Sequence, residues 1–339
     1  MINWLIITLA VFASFILTEF IRRYTLKKNL IDMPNERSSH TIPTPRGGGL
    51  SIVVIFLIAA VFVDSLSTDI LFALIGSGVI IAAIGFWDDH GHVAAKWRLL
   101  AHFVASFWVL YWLGGIPEFQ FLDFSLDAGW FGIGIVAFLL VWLLNLFNFM
   151  DGIDGIAASE TIFVSCGSAF FFWLNGVEYL SFISLVLAAS TSGFLILNWS
   201  PAKIFMGDVG SGFLGLMIGV IAYASILEGV SVFIWIVLLG VFLVDSGITL
   251  LRRVLNGDKW YEAHCSHAYQ HAARKWGHRR VTLSTTLINL CWLFPIAYLV
   301  HSDNNMAELL TFMAYVPLII LALKFQAGLT VISNTNNDK

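Results

Sequence analysis

The sequence predicts an all-α, polytopic integral membrane protein with about eleven transmembrane helices, its N-terminus outside and its C-terminus in the cytoplasm. Three observations predict this. Hydrophobic residues make up 58% of the 339 and charged residues only 12%, with a mean hydropathy of +0.84, whereas a soluble globular chain carries about 25% charged residues. Apolar windows long enough for a hydrocarbon core of ~30 Å recur along the whole chain. All 18 Lys and Arg residues fall on one side of those windows, in alternate connections and after the last window.

The windows lie near 3–21, 49–63, 69–87, 97–114, 130–148, 160–174, 179–198, 212–227, 230–251, 281–300 and 307–323. The first connection holds Arg22, Arg23, Lys27, Lys28, Arg37 and Arg46, the third Lys96 and Arg98, and the seventh Lys203. The ninth holds Arg252, Arg253, Lys259, Arg274, Lys275, Arg279 and Arg280, and Lys324 and Lys339 follow the last window. The opposite side carries Asp64, Asp69, Glu118, Asp123, Asp127, Glu178, Glu228 and Asp303 without a base. The positive-inside rule then sets the orientation. No internal repeat or low-complexity tract appears. Residues 1–339 read as a single membrane domain with motif-bearing cytoplasmic loops at 22–48, 88–98, 149–159, 199–211 and 252–280. The first window is not read as a cleavable signal, because no basic segment precedes it and Arg22 and Arg23 stop it. Cys166, Cys265 and Cys291 show no pairing pattern, and no disulfide is expected.

The stretch Asn145-Leu-Phe-Asn-Phe-Met-Asp-Gly-Ile-Asp-Gly155 closes a long apolar run with two amides and two carboxylates at intervals of three. Unpaired polar groups are costly in lipid, so such a cluster points to a site before it points to packing between helices. Gly152 and Gly155 favour a broken helix end. In the first loop, 32–49, the run Pro45-Arg46-Gly-Gly-Gly49 suits either an anion bound by glycine amides, with Arg46 and His40 adding charge, or a stiff turn whose bases meet anionic lipid. Asp88 and Asp89 end the third window, and Gly91 favours a turn there. Paired carboxylates in a turn suit a divalent cation, base chemistry or plain solvation at the headgroups. Asp208, between glycines before the eighth window, suits a metal-orienting group or a helix cap. In 252–280, His264, His267 and His271 share a face if helical, with zinc and phosphate contact both open and oxygen-rich loops nearby favouring Mg²⁺. Asp245 is either a buried paired group or part of the same site.

Every polar cluster falls on the cytoplasmic side, while the outer loops are short and plain. A secondary transporter would also need polar groups at mid-membrane and on the outer path, so the asymmetry favours an enzyme at the inner leaflet. Acidic clusters beside glycine-rich, basic loops suit phosphoryl chemistry through Mg²⁺, and the membrane setting suggests that one substrate is a lipid.

Asp88-Asp89, Asn145-x-x-Asn148-x-x-Asp151-Gly-x-Asp154-Gly155, Phe205-Met-Gly-Asp208-x-Gly-Ser211 and Ala263-His264-x-x-His267 occur in that order. Together they resemble the polyprenyl-phosphate N-acetylhexosamine-1-phosphate transferase superfamily. That superfamily (glycosyltransferase family 4) includes the phospho-N-acetylmuramoyl-pentapeptide transferase of peptidoglycan synthesis and the enzymes that start O-antigen and teichoic acid synthesis. The resemblance implies a fold of ten or eleven spans in the inner (plasma) membrane. It also implies transfer of a sugar 1-phosphate from a UDP-N-acetylhexosamine to undecaprenyl phosphate, with release of UMP and a need for Mg²⁺, or Mn²⁺ in its place. A homodimer is compatible with it, and nucleic acid is not among its partners. Carried over by position, Asn148 and Asp208 would hold the metal. Asp88, with Asp89 beside it, would sit by the lipid phosphate as a base or as a positioning group. Asp151 and Asp154, with Asn145, would shape the nucleotide pocket, and Lys96, Arg98, His264 and His267 would contact phosphate. The expected catalytic set is thus Asp88, Asp89, Asp151, Asp154, Asp208, His264 and His267, with Asn145, Lys96, Arg98 and Arg46 binding substrate. The sparse histidines of His264-Cys-Ser-His267, with Ala-Lys-Trp-Arg at 95–98, look more like the lipopolysaccharide-initiating branch than the peptidoglycan enzyme. The implied donor is UDP-GlcNAc or a 6-deoxy relative such as UDP-N-acetylfucosamine. A CDP-alcohol phosphatidyltransferase needs Asp-Gly-x-x-Ala-Arg, which Asp151-Gly-Ile-Asp-Gly-Ile does not match.

Overall fold

A computed structural model describes residues 3–34, 42–63, 65–91, 93–115, 119–121, 124–126, 129–258 and 265–329. His264, expected at the site, lies outside the described residues, as do His40, Asp64, Glu118, Asp123 and Asp127. The chain is helical almost throughout. In order it forms α1 (Trp4–Lys27), the short hairpin β1 (Ile31–Asp32) and β2 (Thr44–Pro45), α2 (Leu50–Val61), α3 (Thr68–His90) and α4 (Ala95–Leu113). A second hairpin, β3 (Phe119–Phe121) and β4 (Phe124–Leu126), leads to α5 (Gly129–Met150), α6 (Ile156–Leu174), α7 (Glu178–Asn198) and α8 (Asp208–Leu227). Then come α9 (Val232–Leu238), α10 (Gly240–Leu255), α11 (Ala268–Trp276), α12 (His278–Ile288), a π-helical turn at Asn289–Leu293, α13 (Phe294–Ser302) and α14 (Ala307–Lys324).

Each of the eleven apolar windows falls on a helix or a helix pair. Among the described residues, eight helices are long and apolar enough to cross a membrane, or nine if α9 and α10 form one span. The expected eleven exceeds that count at two places. α2 has 12 residues, about 18 Å of rise against a core of ~30 Å, and α4 opens with Lys96 and Arg98, which lower its hydropathy. The ninth window is also not a straight span, since α9 and α10 meet at 76°. Asp245, Thr249 and Arg253 are spaced by four and buried, which gives α10 a polar stripe turned into the protein while Leu251 and Leu255 face outward.

α8 lies at the centre, buried along nearly its whole length between α3 and α5. Small residues allow this approach. A Cβ at Gly215 would stand 2.8 Å from the Leu144 backbone of α5. α7 crosses α1 in the same way, where a Cβ at Gly193 would stand 2.8 Å from the Phe15 amide nitrogen. Ser14 donates to the Ser190 carbonyl at 2.5 Å beside that crossing. Glu160 of α6, 1% exposed, accepts at 2.6 Å from Asn289, which the π-helical turn points inward.

The ends of α3, α5 and α7 and the starts of α4, α6 and α8 meet at one end of the bundle, joined by contacts from Asp88 to Arg98, Asp89 to Val209 and Asn198 to Gly155. The described motif residues of α3, α5 and α8 therefore share one end of the bundle.

Gly193→Leu is expected to destabilise the protein by about 3 kcal/mol or more, because the side chain would have to displace the α1 backbone. Gly134→Leu, where a Cβ meets nothing within 4 Å, serves as the control and should leave the thermal unfolding midpoint in detergent unchanged.

Candidate active site

α3 ends in Asp88-Asp89, at the terminus where the helix dipole disfavours negative charge. Each carboxylate is compensated from elsewhere in the chain. Asp89, 7% exposed, accepts hydrogen bonds from the amides of Asp208 at 3.0 Å and Val209 at 3.2 Å, so it caps α8 from outside that helix. Gly85 permits this, since a Cβ there would stand 2.7 Å from the Val209 backbone. Asp88 accepts from the Val93 amide at 2.9 Å and pairs with Arg98 at 2.6 Å. Arg98 also reaches Asp208 at 3.4 Å, so one guanidinium bridges two motifs.

The turn between α5 and α6 is the break that its glycines suggested. α5 stops at Met150, and Gly155 sits at a φ of +72° before α6 begins. Asn198, at the end of α7, accepts from the Gly155 amide at 3.0 Å and donates to the Ile204 carbonyl at 2.9 Å. Asp154 accepts from the Ala202 amide at 3.2 Å and pairs with His278 at 3.1 Å. Burial acts to raise the Asp154 carboxyl, but the hydrogen bond and charge of His278, with bonds from Ser200 and the Ala202 amide, outweigh it and hold the group below the usual range. Asp151 is the opposite case. Burial, followed by the charges of Asp208, Asp89 and Asp154, pushes its carboxyl well above the usual range.

The glycine-rich first loop is a fixed turn rather than an anion cradle. Gly48 and Gly49 donate their amides to the carbonyls of Phe205 and Met206, both at 2.9 Å, which docks the loop on the segment before α8. Arg46, just upstream, donates to the Asp89 carbonyl and lines the pocket.

Asp245 is the buried paired group of the two readings. It caps α11 by accepting from the amides of Ala268 and Tyr269, both at 2.9 Å, and it contacts His267 Nδ1 at 3.2 Å. His267 therefore precedes the helix, 1% exposed and packed on Asp245, and does not line the pocket. His271 does not share its setting, because its Nε2 lies 3.1 Å from the Leu329 carbonyl. Two residues expected to bind substrate make contacts within the chain. Asn145 donates back to the Val141 carbonyl of its own helix at 2.7 Å, and Lys96 lies over the Trp97 ring, 5.5 Å from its centre.

The motifs meet around a pocket of about 250 Å³. Asp89, Asn148, Asp151, Asp154, Asp208 and Arg46 line it, with Asp88 and Arg98 behind Asp208. Asp32, Asn198, Gln270 and His278 line it as well, and sequence reasoning did not single them out as site residues. The sequence signals that could have found two of them are the spacing of three between His267 and Gln270 and the glycine, Gly277, just before His278. The lining is rich in carboxylates, and its donors are oxygens on Asn148, Asp151 and Asp208, which suits a hard cation. Among the described residues, no three of His, Cys, Asp and Glu form a metal-holding group.

Comparison with known proteins places this arrangement. The profile of glycosyl transferase family 4 matches residues 71–226, which span α3 to α8. A "probable undecaprenyl-phosphate N-acetylglucosaminyl 1-phosphate transferase" of Bacillus subtilis (strain 168) is 31% identical over 293 residues, covering 84% of this chain and 81% of its own. A phospho-N-acetylmuramoyl-pentapeptide-transferase of Halalkalibacterium halodurans is 27% identical, over 86% of this chain and 94% of its own. Another of that name, from Chlorobaculum parvum, is 29% identical, over 65% and 68%. With an acidic pocket built by the motifs of α3, α5 and α8 in a bundle of membrane-spanning helices, the chain belongs to glycosyl transferase family 4, the polyprenyl-phosphate sugar-1-phosphate transferase superfamily.

Proposed function

We propose that this protein transfers an N-acetylhexosamine 1-phosphate from a UDP-N-acetylhexosamine to undecaprenyl phosphate at the cytoplasmic face of the plasma membrane, and so initiates a cell-surface polysaccharide such as O-antigen. The observation that carries this is the carboxylate-rich pocket, lined by Arg46 and with Arg98 paired to Asp208 behind it, at one end of a membrane bundle of this family. The one-sided distribution of Lys and Arg supports a cytoplasmic site and an eleven-pass topology in which α2 and α4 complete the bundle.

In the reaction, an oxygen of the lipid phosphate forms a bond to the sugar-linked phosphorus. The bond from that phosphorus to the bridging oxygen breaks, and UMP leaves with the electron pair. A phosphate monoester has a second pKa of ~6, so the nucleophile is largely ionised at neutral pH and needs no strong base. Both oxygens of Asp88 are engaged, by the Val93 amide and Arg98. This favours a single displacement, with Asp88 orienting Arg98 instead of attacking phosphorus. Arg98 and Arg46 would neutralise phosphate oxygens as charge shifts to the leaving group. Asn148 and Asp208, with Asp151 beside them, would hold Mg²⁺, which would supply positive charge against the charge developing on the phosphates. The donor reading, GlcNAc or a 6-deoxy relative, draws on His264-Cys-Ser-His267 and on the name of the Bacillus subtilis relative. The names of the other relatives favour a second donor, UDP-N-acetylmuramoyl-pentapeptide.

Purified protein incubated with undecaprenyl phosphate, Mg²⁺ and a panel of UDP-sugars that includes the pentapeptide donor should release UMP with one of them; release with none overturns the assignment. Asp208→Ala should lower the rate by about a hundredfold or more, and Asp64→Ala, on the opposite side of the predicted topology, should leave it unchanged.

A second expectation concerns pH. Because folding raises the Asp151 carboxyl, its contribution to the stability of metal-free protein is present below the unfolded value of about 4 and is lost as pH rises above it. Protons and the cation compete for this group, so the thermal shift caused by Mg²⁺ should grow as pH rises from weakly acidic to neutral, and Asp151→Asn should flatten that dependence. Asp154, held low, titrates below this window and should not obscure it.

A further inference from the structure

The family resemblance assigns phosphate contact to His264 and His267, but His267 is buried against Asp245 and does not line the pocket. The helix that it precedes reaches the pocket through another side chain, Gln270. Gln270 is the third residue of α11 and is only 7% exposed. It lines the pocket together with Asn148, Asp151 and Asp208.

One half of its side-chain amide is used within the chain. Oε1 accepts from the His267 amide at 3.1 Å and so completes the N-terminal cap of α11. A backbone N–H can meet only the oxygen of a side-chain amide, so this bond also sets which way round the group lies. Nε2 stands beside the acidic turn, where a Cβ at Gly152 would come within 3.0 Å of it. Among the described residues, Nε2 has no hydrogen-bond partner. Two carboxylates of the lining draw on other donors, since Asp89 accepts from the amides of Asp208 and Val209, and Asp154 from that of Ala202. The Asn198 amide, also in the lining, is engaged at both ends, by Gly155 and Ile204. Gln270 thus brings uncommitted N–H bonds to the pocket wall. A donor this deeply buried is costly to leave unmet, and the pocket is where its acceptor can enter.

The position of Gln270 points to the chemistry of that acceptor. Gly152 follows Asp151, which lines the pocket with Asn148 and Asp208, where the reaction above seats the phosphates of the donor. Phosphate oxygens are strong acceptors, and in a pocket rich in carboxylates each N–H that faces inward offsets the repulsion they meet. We propose that Gln270 binds the donor substrate by donating from Nε2 to an oxygen of its nucleotide diphosphate. This rests on the transferase reading above. The same amide caps α11 through Oε1, so the helix start and the ligand contact are held by one side chain.

Two replacements separate the cap from the ligand contact. Gln270→Glu keeps an oxygen for the His267 amide and places a second oxygen where Nε2 stood, and glutamate suits this capping position as well as glutamine does. It should keep the wild-type thermal midpoint, raise KM for the UDP-sugar about tenfold to a hundredfold, and leave KM for undecaprenyl phosphate unchanged. The thermal shift caused by Mg²⁺ alone should be no smaller than in wild type, which assigns the loss to the anion. Gln270→Met removes the donor without adding charge, so its UDP affinity, measured by titration calorimetry with Mg²⁺ present, should lie between those of wild type and Gln270→Glu. Equal UDP affinities for wild type and Gln270→Met overturn the proposal, as does an equal rise in both KM values for Gln270→Glu. If wild type turned over no donor, the reaction assignment would fail on its own, while the calorimetry would still decide the glutamine.

Discussion

The site depends on a carboxylate of one helix placed on the first amides of another. The opening amides of a helix have no partner inside it, and at a membrane surface packed with protein they need one. Asp89 supplies it for α8, while the positive end of α8 offsets the unfavourable position of an acid at the C-terminus of α3. Each helix end thus answers the electrostatic problem of the other. The contact fixes α3 to α8, and with them the spacing between Asp88, Arg98 and Asp208.

The same device recurs on the other side of the pocket. Asp245, inside the bent pair α9–α10, caps α11 through the amides of Ala268 and Tyr269. That sets the direction of α11, so Tyr269 reaches the Phe149 carbonyl at 2.9 Å and Gln270 stands against the turn at Gly152. The turn of Asp151 and Asp154 is therefore held from three directions: by α11, by Asn198 at the end of α7, and by His278 and Thr282 of α12. A turn so constrained buries Asp151 and keeps several carboxylates close to it despite their repulsion, and burial first, then those charges, raise its carboxyl well above the ordinary range.

Much of this was legible in the sequence because lipid imposes its own pattern. Apolar windows located every long helix, and the one-sided bases implied that Asp88, Asp151 and Asp208 lie at the same end of the bundle. The division of labour within each motif was not legible. Asp88 and Asp89 are neighbours pointing ~100° apart on a helix, and only the position of α8 decides which one caps and which one meets Arg98. His267 and His278 both stand beside helix starts; the partner that buries the first is Asp245, 22 residues earlier. The bend at α9–α10 was hidden because 230–251 is apolar on average, and the polar stripe of Asp245, Thr249 and Arg253 shows only when residues are counted in fours.

Gly207 and Asp208 show how such a division could be read in advance. An aspartate at a helix start usually caps its own helix, and its carboxylate is then occupied by backbone amides. Here the capping position is held by Gly207, at a φ of +78°, and Asp208 is already the first helical residue. Glycine offers no side chain to cap with, and a Cβ in its place would stand 2.6 Å from an Asp89 carboxylate oxygen. The missing side chain is thus the space into which a distant carboxylate fits. With its amides satisfied from α3, α8 has no need of the Asp208 side chain, which is left to face the pocket and Arg98. A glycine at the cap followed by an aspartate in the first turn signals a helix capped from elsewhere, with a carboxylate released for chemistry.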